Sequence, residues 1–187
     1  TIKRGFDVLL AVIIGLITLF ILPIIALAIK LDSAGPVFIR QQRIGKNQKV
    51  FSLIKFRSMI SVVGNRWTDI NDKRITRVGS VLRKTSIDEL PQAWNILKSE
   101  MSFIGPRPET SELVELLKKQ IPHYQMRHLI KPGLTGWAQI NFPYGASVED
   151  AMEKLQYDLF YIKNRSLFLD FVIALKTVIA LMARRVR

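Results

Sequence analysis

No cysteine occurs in the 187 residues, which excludes a disulfide framework and any thiolate metal site. Histidine is nearly as scarce. His123 and His128 are the only two; they form no metal-ligand pattern and read as surface or packing residues. Acidic residues are few, with 15 Asp and Glu against 28 Lys and Arg and a formal charge of +13. That surplus calls for an anionic partner: nucleic acid, anionic lipid or a phosphorylated substrate. Repeats, low-complexity tracts and an internal linker are also missing. The chain reads as one functional unit, long enough for a single core.

Charge is missing altogether from Val8 to Ile29, where Thr18 is the only hydroxyl. At about 1.5 Å per residue, this run just reaches across a hydrocarbon core of roughly 30 Å. Two features argue against a simple span. Pro23 removes a helix hydrogen bond and predicts a break, leaving each arm too short to cross alone. Both flanks are basic, and the positive-inside rule places both on the cytoplasmic side. A re-entrant, proline-broken membrane helix over residues 1–32 satisfies both demands; a spanning helix is the alternative. A hydrophobic content of 49% beside such high charge suggests a membrane-associated protein with a basic face toward lipid headgroups.

Residues 33–187 form the remaining body. Ala34 to Met59 reads as a β-hairpin, with a turn at Gly45-Lys46-Asn47-Gln48 and a second strand from Val50 to Phe56. Lys55 and Arg57 close that strand, as a solvated basic edge or as anion ligands. Val62 to Asn71 reads as a loop. Asp72 to Lys84 reads as a short amphipathic helix, with Ile75, Val78 and Leu82 at helical spacing. Thr110 to Lys119 and Val148 to Ile162 are further helices, and Lys131 to Trp137 is a turn-rich loop. Leu167 to Met182 is apolar except for Asp170, Lys176 and Thr177. With Arg184, Arg185 and Arg187 beyond it, this resembles an interfacial helix on anionic lipid. The fold class is α+β, mostly helical.

Asp88 and Glu89 adjoin at the start of a helical stretch, between Arg83-Lys84 and Gly105-Pro106-Arg107-Pro108. Ser86 to Glu89 fits a capping box, but Pro91 favours Asp88 itself as the cap. Capping and catalysis both stay open for the pair. Two prolines hold the backbone around Arg107, which suits phosphate recognition. Asp158, among Tyr157, Phe160 and Tyr161, calls for a cation or a metal.

Taken together, several segments resemble one family, the bacterial sugar transferases, which are monotopic membrane-bound phosphoglycosyl transferases. They are Lys3-Arg4-x-x-Asp7; Gly35 to Phe38 with Gln41, Arg43 and Gly45; Lys55 to Met59; Arg74 to Gly79; Leu82 to Gln92; Gly105 to Pro108; Pro132 to Gln139; and Tyr157-Asp158-x-x-Tyr161-Ile162. Gln139 to Gly145, without the Arg many members carry there, resembles an exopolysaccharide-linked subgroup and leaves the sugar open. Larger relatives carry a further N-terminal region, and a start at Thr1 is consistent with a chain that lacks it.

The resemblance implies transfer of a sugar-1-phosphate from a nucleotide diphosphate sugar, usually UDP-linked, to a polyprenol phosphate such as undecaprenyl phosphate. It implies Asp88 as nucleophile, a phosphosugar-enzyme intermediate, and UMP as leaving product. Glu89 would transfer a proton or help to place Mg²⁺ (or Mn²⁺), with Asp88 as metal ligand. Lys55 and Arg107 match positions for phosphate, Arg83 one near the lipid phosphate, and Asp158 an acidic position of the family motif; with Arg57, these make up the expected substrate-binding set. The expected partners are nucleotide sugar, polyprenol phosphate and membrane lipid, with no nucleic acid; a homodimer is left open. The expected location is the bacterial inner membrane, with the catalytic face cytoplasmic. A non-catalytic protein binding anionic lipid is the competing expectation.

Overall fold

The computed structural model describes residues 2–60, 72–142, 145 and 147–183. Its first element is a long helix, α1 (Ile2–Asp32). Ala11 and Ile14 pack on Phe51, Leu53, Ala93, Ile96 and Met101. Ile21, Leu22, Ile25 and Ile29 pack on Phe56 and Leu82. These positions fall at helical spacings of three, four and seven, with Leu22 flanking Ile21, so one stripe of α1 lies against the body. The opposite side is apolar but unburied; Phe20 is 84% exposed and Leu31 80%. The break expected at Pro23 does not end the helix, which continues to Asp32. Burial of Ile25 and Ile29 beyond the proline offsets the lost backbone hydrogen bond.

Both ends of α1 are tied to the same body by polar side chains. Near its start, Lys3 Nζ meets Asp170 Oδ2 at 2.6 Å. Arg4 donates to the carbonyls of Ile96 (2.7 Å) and Leu97 (3.0 Å), and Asp7 accepts from Ser102 Oγ and the Phe103 amide. At its end, Asp32 accepts from the Val78 amide at 2.9 Å. There Arg57 also donates to the carbonyls of Ile29, Ser33 and Ala34.

The expected hairpin is present. Strand β1 (Phe38–Ile44) pairs antiparallel with β2 (Val50–Phe56), from Phe38 opposite Phe56 to Ile44 opposite Val50. Asn47 and Gln48 take left-handed backbone in the turn. The helix expected from Asp72 is shorter: α2 is Arg77–Lys84, with the Thr76 hydroxyl accepting from the Gly79 amide. Ile75 instead forms an antiparallel bridge with Met59, so its helical spacing with Val78 was incidental. The loop expected over Val62 to Asn71 lies outside the described residues.

A 3₁₀ segment, Ile87–Gln92, leads into α3 (Ala93–Leu97). Buried Asn95 then joins this turn to the hairpin: its Oδ1 accepts from the Ile54 amide and its Nδ2 donates to the Ser52 carbonyl. After α3 comes β3 (Ser102–Ile104), which pairs in parallel with β4 (Gly133–Thr135). The stretch read as a loop at Lys131 to Trp137 therefore contains a strand. Its glycine is steric in origin, since a Cβ on Gly133 would lie 2.1 Å from the Gly105 amide nitrogen.

Helix α4 (Ser111–Gln120) is capped by Thr110, and α6 (Val148–Asn164) begins with a capping box of Ser147 and Asp150. Val114, Leu117, Tyr124 and Leu155 form the core between them. Short α5 (Trp137–Asn141) and α7 (Leu167–Met182) close the fold around Ile104, Tyr161 and Ile173. The polar stripe of α7 turns inward, contrary to a simple interfacial helix with polar groups toward water. Asp170 meets Lys3 and Tyr161, and Thr177 meets Thr135 at 2.8 Å. Phe168, Phe171, Leu175 and Val178 face outward. Arg184, Arg185 and Arg187 lie outside the described residues.

Candidate active site

Three elements bring the site together: the end of β2 supplies Lys55, the 3₁₀ segment supplies Asp88 and Glu89, and the Gly105–Pro108 turn supplies Arg107. Ser86 enters the 3₁₀ segment with φ of 56° and its side chain makes no cap hydrogen bond. The capping box is therefore not formed, and Asp88 is not the N-cap but the second residue of the segment. The physical reason lies in the cations. Glu89 Oε1 accepts from Lys55 Nζ at 3.0 Å and from Arg107 Nη2, and Oε2 accepts from Arg107 Nη1 at 3.2 Å. A carboxylate gripped by two charged donors does not reach back to a neutral amide.

Asp88 is buried beside this cluster, and its charge acts on both Lys55 and Arg107. Burial alone pushes the Glu89 carboxyl up, but Arg107 and Lys55 outweigh it and hold the group well below the usual carboxylate range. Burial lowers Lys55, with Glu89 opposing; Glu89 raises Arg107. Glu89 thus stays ionised at neutral pH and has no proton to give. Its work in this arrangement is to orient two cations. Arg107 keeps 41% of its side chain exposed while both of its Nη groups meet Glu89. Asp88, Lys55 and Arg107 together can hold and attack a phosphorus centre: a carboxylate nucleophile beside cations that bind the non-reacting oxygens.

The other expected site residues are placed differently. Arg57 is buried with its guanidinium on the α1 carbonyls, so it is committed to the fold and not to substrate. Arg83 places Nη1 3.5 Å from Met59 Sδ. Asp158 lies fully inside and pairs with Arg127 at 2.8 Å. It is linked to the site through Arg127, whose Nη2 donates to the Arg107 carbonyl at 2.9 Å.

Arg127 itself was not foreseen, because it sits in His123 to Leu129 without any motif around it. The one available signal was Asp158, a carboxylate among aromatic residues that required a cation. Arg43 was also unforeseen as a support: it donates to the Pro108 carbonyl and lies 3.7 Å from Glu109. Both histidines are as expected, His128 buried and His123 at the head of a 3₁₀ turn.

A divalent ion is testable against this donor set. Among the described residues, no group of three or more acidic or histidine side chains converges. Mg²⁺ is commonly held by one or two carboxylates, with substrate phosphates and water completing the shell. Asp88 can supply one such oxygen, while the oxygens of Glu89 face Lys55 and Arg107. The set fits an ion that arrives with a diphosphate.

Comparison with known proteins follows the same line. The signature of the family described as "Bacterial sugar transferase" matches residues 1–184. The chain is 47% identical over 182 residues to the UDP-N-acetylgalactosamine-undecaprenyl-phosphate N-acetylgalactosaminephosphotransferase of Aeromonas hydrophila, covering 95% of this chain and 43% of that protein. It is 42% identical over 181 residues to the UDP-glucose:undecaprenyl-phosphate glucose-1-phosphate transferase of Escherichia coli (strain K12), covering 94% and 39%. It is 39% identical over 191 residues to the exopolysaccharide production protein PSS of Rhizobium leguminosarum bv. phaseoli, covering 97% of this chain and 96% of that one. The chain spans roughly two fifths of the length of the larger relatives and nearly all of the smaller one. It belongs to the bacterial sugar transferase family.

Proposed function

We propose that this chain transfers a sugar-1-phosphate from a UDP-sugar to undecaprenyl phosphate, beginning assembly of an exopolysaccharide or related glycan. The observation that carries the reading is buried Asp88 next to half-buried Glu89, with Lys55 and Arg107 gripping Glu89. The names of the relatives point to the same donor and acceptor classes.

An Asp88 oxygen bonds to the β-phosphorus of the nucleotide sugar. The bond from that phosphorus to the bridging oxygen breaks, and UMP leaves with the electron pair. A phosphate oxygen of undecaprenyl phosphate then attacks the same phosphorus. The Asp88–phosphorus bond breaks, the carboxylate is restored, and the sugar leaves joined to the lipid through a diphosphate. Arg107 and Lys55 hold the non-bridging oxygens through both steps, and Glu89 fixes where those cations point. Asp88 is the residue that would share a Mg²⁺ with the diphosphate; when bound, the ion offsets negative charge on the substrate.

The proposed location is the inner membrane, with the site on the cytoplasmic face. An apolar helix fastened at both ends to one body supports re-entrant insertion, since neither end is free to lie across the bilayer from the other. The outward apolar side of α7 supports contact with the same leaflet.

The experiment is UMP release from a panel of UDP-sugars with undecaprenyl phosphate, comparing wild type with Asp88→Asn. We expect release with at least one sugar, and loss of both turnover and trappable phosphosugar adduct in the variant. No release with any sugar, despite normal binding to anionic vesicles, refutes the transferase reading. Full activity in Asp88→Asn removes Asp88 as nucleophile.

A further inference from the structure

The turn that carries Arg107 has no helix or strand of its own, yet each of its residues has a backbone group tied to a different part of the fold. The Gly105 amide donates to the Thr135 carbonyl at 3.0 Å, and the Pro106 carbonyl accepts from the Gly133 amide at 2.9 Å. The Arg107 carbonyl accepts from Arg127 Nη2 at 2.9 Å. The Pro108 carbonyl accepts from Arg43 Nη1 at 3.3 Å, and the Glu109 carbonyl accepts from the Ile44 amide at 2.9 Å. Four of these tethers hold residues beside Arg107. Only the Arg127 tether acts on Arg107 itself.

Arg127 is held on several sides. Its guanidinium is buried and every arm has a partner: Nε on Asp158 Oδ2 at 3.0 Å, Nη1 on Tyr124 Oη at 2.7 Å, and Nη2 on both Asp158 and the Arg107 carbonyl. A buried ion pair is weak evidence of stabilisation, because desolvation cancels most of the attraction. What the planar fork provides is direction. Asp158 sets the plane of Arg127, and Arg127 sets the position of the Arg107 backbone. From there the Arg107 guanidinium reaches Glu89.

We propose that Arg127, oriented by Asp158, is a positioning residue for the transfer reaction: it holds the Arg107 backbone so that the guanidinium is aimed at Glu89 and the substrate diphosphate. Asp158 therefore serves the site from behind Arg107 and touches no substrate. This rests on the transferase reading for its kinetic consequence, but not for its structural one.

The test removes the buried pair as a unit, with Arg127→Met and Asp158→Leu together, so that no charge is left stranded inside. It is read by ¹⁵N NMR of the Arg107 guanidinium, whose two Nη groups are held on Glu89, and by UMP release. The double variant is expected to melt near wild type while rotation about the Arg107 Cζ–Nη bonds quickens, because the guanidinium is no longer held squarely on Glu89. The value of kcat/KM for the UDP-sugar is expected to fall on the order of 10²-fold, the scale of loss from a misplaced binding group. In an Arg107→Ala background the same double substitution is expected to lower kcat/KM no further.

Unchanged Arg107 guanidinium rotation overturns the proposal, and so does an equal loss in the Arg107→Ala background. If the double variant does not fold, Arg127→Lys replaces it. Its ammonium keeps a charge on Asp158 but not the fork that spans to the Arg107 carbonyl. The Arg107 guanidinium is again expected to rotate faster, and wild-type rotation there overturns the proposal. Wild type that releases no UMP counts against the transferase reading alone, because the guanidinium dynamics still decide the relay.

Discussion

Arg57→Met separates a residue of the fold from a residue of the site. The Arg57 side chain ends the hairpin as Lys55 does, but it is 4% exposed and points at α1. Nη1 donates to the Ala34 carbonyl at 2.5 Å; Nη2 donates to Ser33 at 2.6 Å and to Ile29 at 3.2 Å. Ile29 lies in the last turn of α1, where its carbonyl also accepts from the Ser33 amide, and Ser33 and Ala34 lie just beyond the helix, where no helix amide follows to receive their carbonyls. Hydrogen bonds to a charged group contribute about 1.5–3 kcal/mol each, and orphaned carbonyls add a cost. Removing a buried charge returns part of that, so the net loss expected is about 3–4 kcal/mol. For a chain of this size, that corresponds to a melting-temperature drop of roughly 6–16 °C. Tryptophan fluorescence during thermal unfolding in detergent reads the drop, and UMP release below the transition reads the site. KM for the nucleotide sugar is expected to stay within about twofold, since no binding contact is removed. An unchanged melting temperature with a tenfold rise in KM would place Arg57 on the substrate and refute this reasoning.

Gly133→Ala is expected to cost about 2–4 kcal/mol in chemical denaturation, because every near neighbour of the new Cβ is backbone that cannot swing aside. A loss below about 0.5 kcal/mol would contradict the close parallel pairing of β3 and β4. His128 gives a pH dependence: burial first, then Arg127 and Lys118, push its imidazole from 6.5 down to about 4. The unfolded chain takes up this proton at higher pH than the folded one, so the stability is fully present above pH 6.5 and is lost as pH falls toward about 4. His128→Leu is expected to flatten the stability–pH curve in that window by on the order of 1–3 kcal/mol. A variant curve parallel to wild type across the window would show that His128 is not its source.

Patterns local in sequence were legible. The hairpin, the helices α4 and α6, and the apolar length of α1 follow from alternation, caps and composition, and each formed within a few residues of expectation. Asp88, Glu89, Lys55 and Arg107 were legible as a set through motif resemblance, and the fold brings them together. What failed was everything decided by a distant partner. Ser86 to Glu89 has the spacing of a capping box, but Lys55, 34 residues before Glu89, and Arg107, 18 after it, claimed the carboxylate. Arg57 sits two residues from Lys55 with the same charge, and only the arrival of the α1 terminus makes one structural and the other a site residue. Ile75 fits a helical stripe, yet the Thr76 hydroxyl starts the helix after it. Arg127 carries no local signal at all; its importance lies in a backbone carbonyl twenty residues away.

The polarity of α7 ties these strands together. In a helix on the surface of a soluble body, polar groups face out and apolar groups face in. Here Asp170 and Thr177 face the body and Phe168, Phe171 and Val178 face away. The same inversion runs along α1, where Lys3, Arg4, Asp7 and Asp32 bind the body while Phe20 and Leu31 stand exposed. Large exposed apolar surfaces of this kind mark a contact with lipid or with another protein. The two helices meet at one cluster, where Lys3 of α1 and Tyr161 of α6 both bond to Asp170 of α7 at 2.6 Å. The Tyr161 hydroxyl also lies 3.3 Å from the Ile104 carbonyl, immediately before the turn that carries Arg107. The outward apolar faces and the turn that carries Arg107 are therefore tied into one frame. On the proposed reading, that frame fixes the height of Asp88 above the bilayer. A lipid-borne phosphate and a soluble nucleotide sugar can then meet the same carboxylate without a hinge between membrane anchor and site.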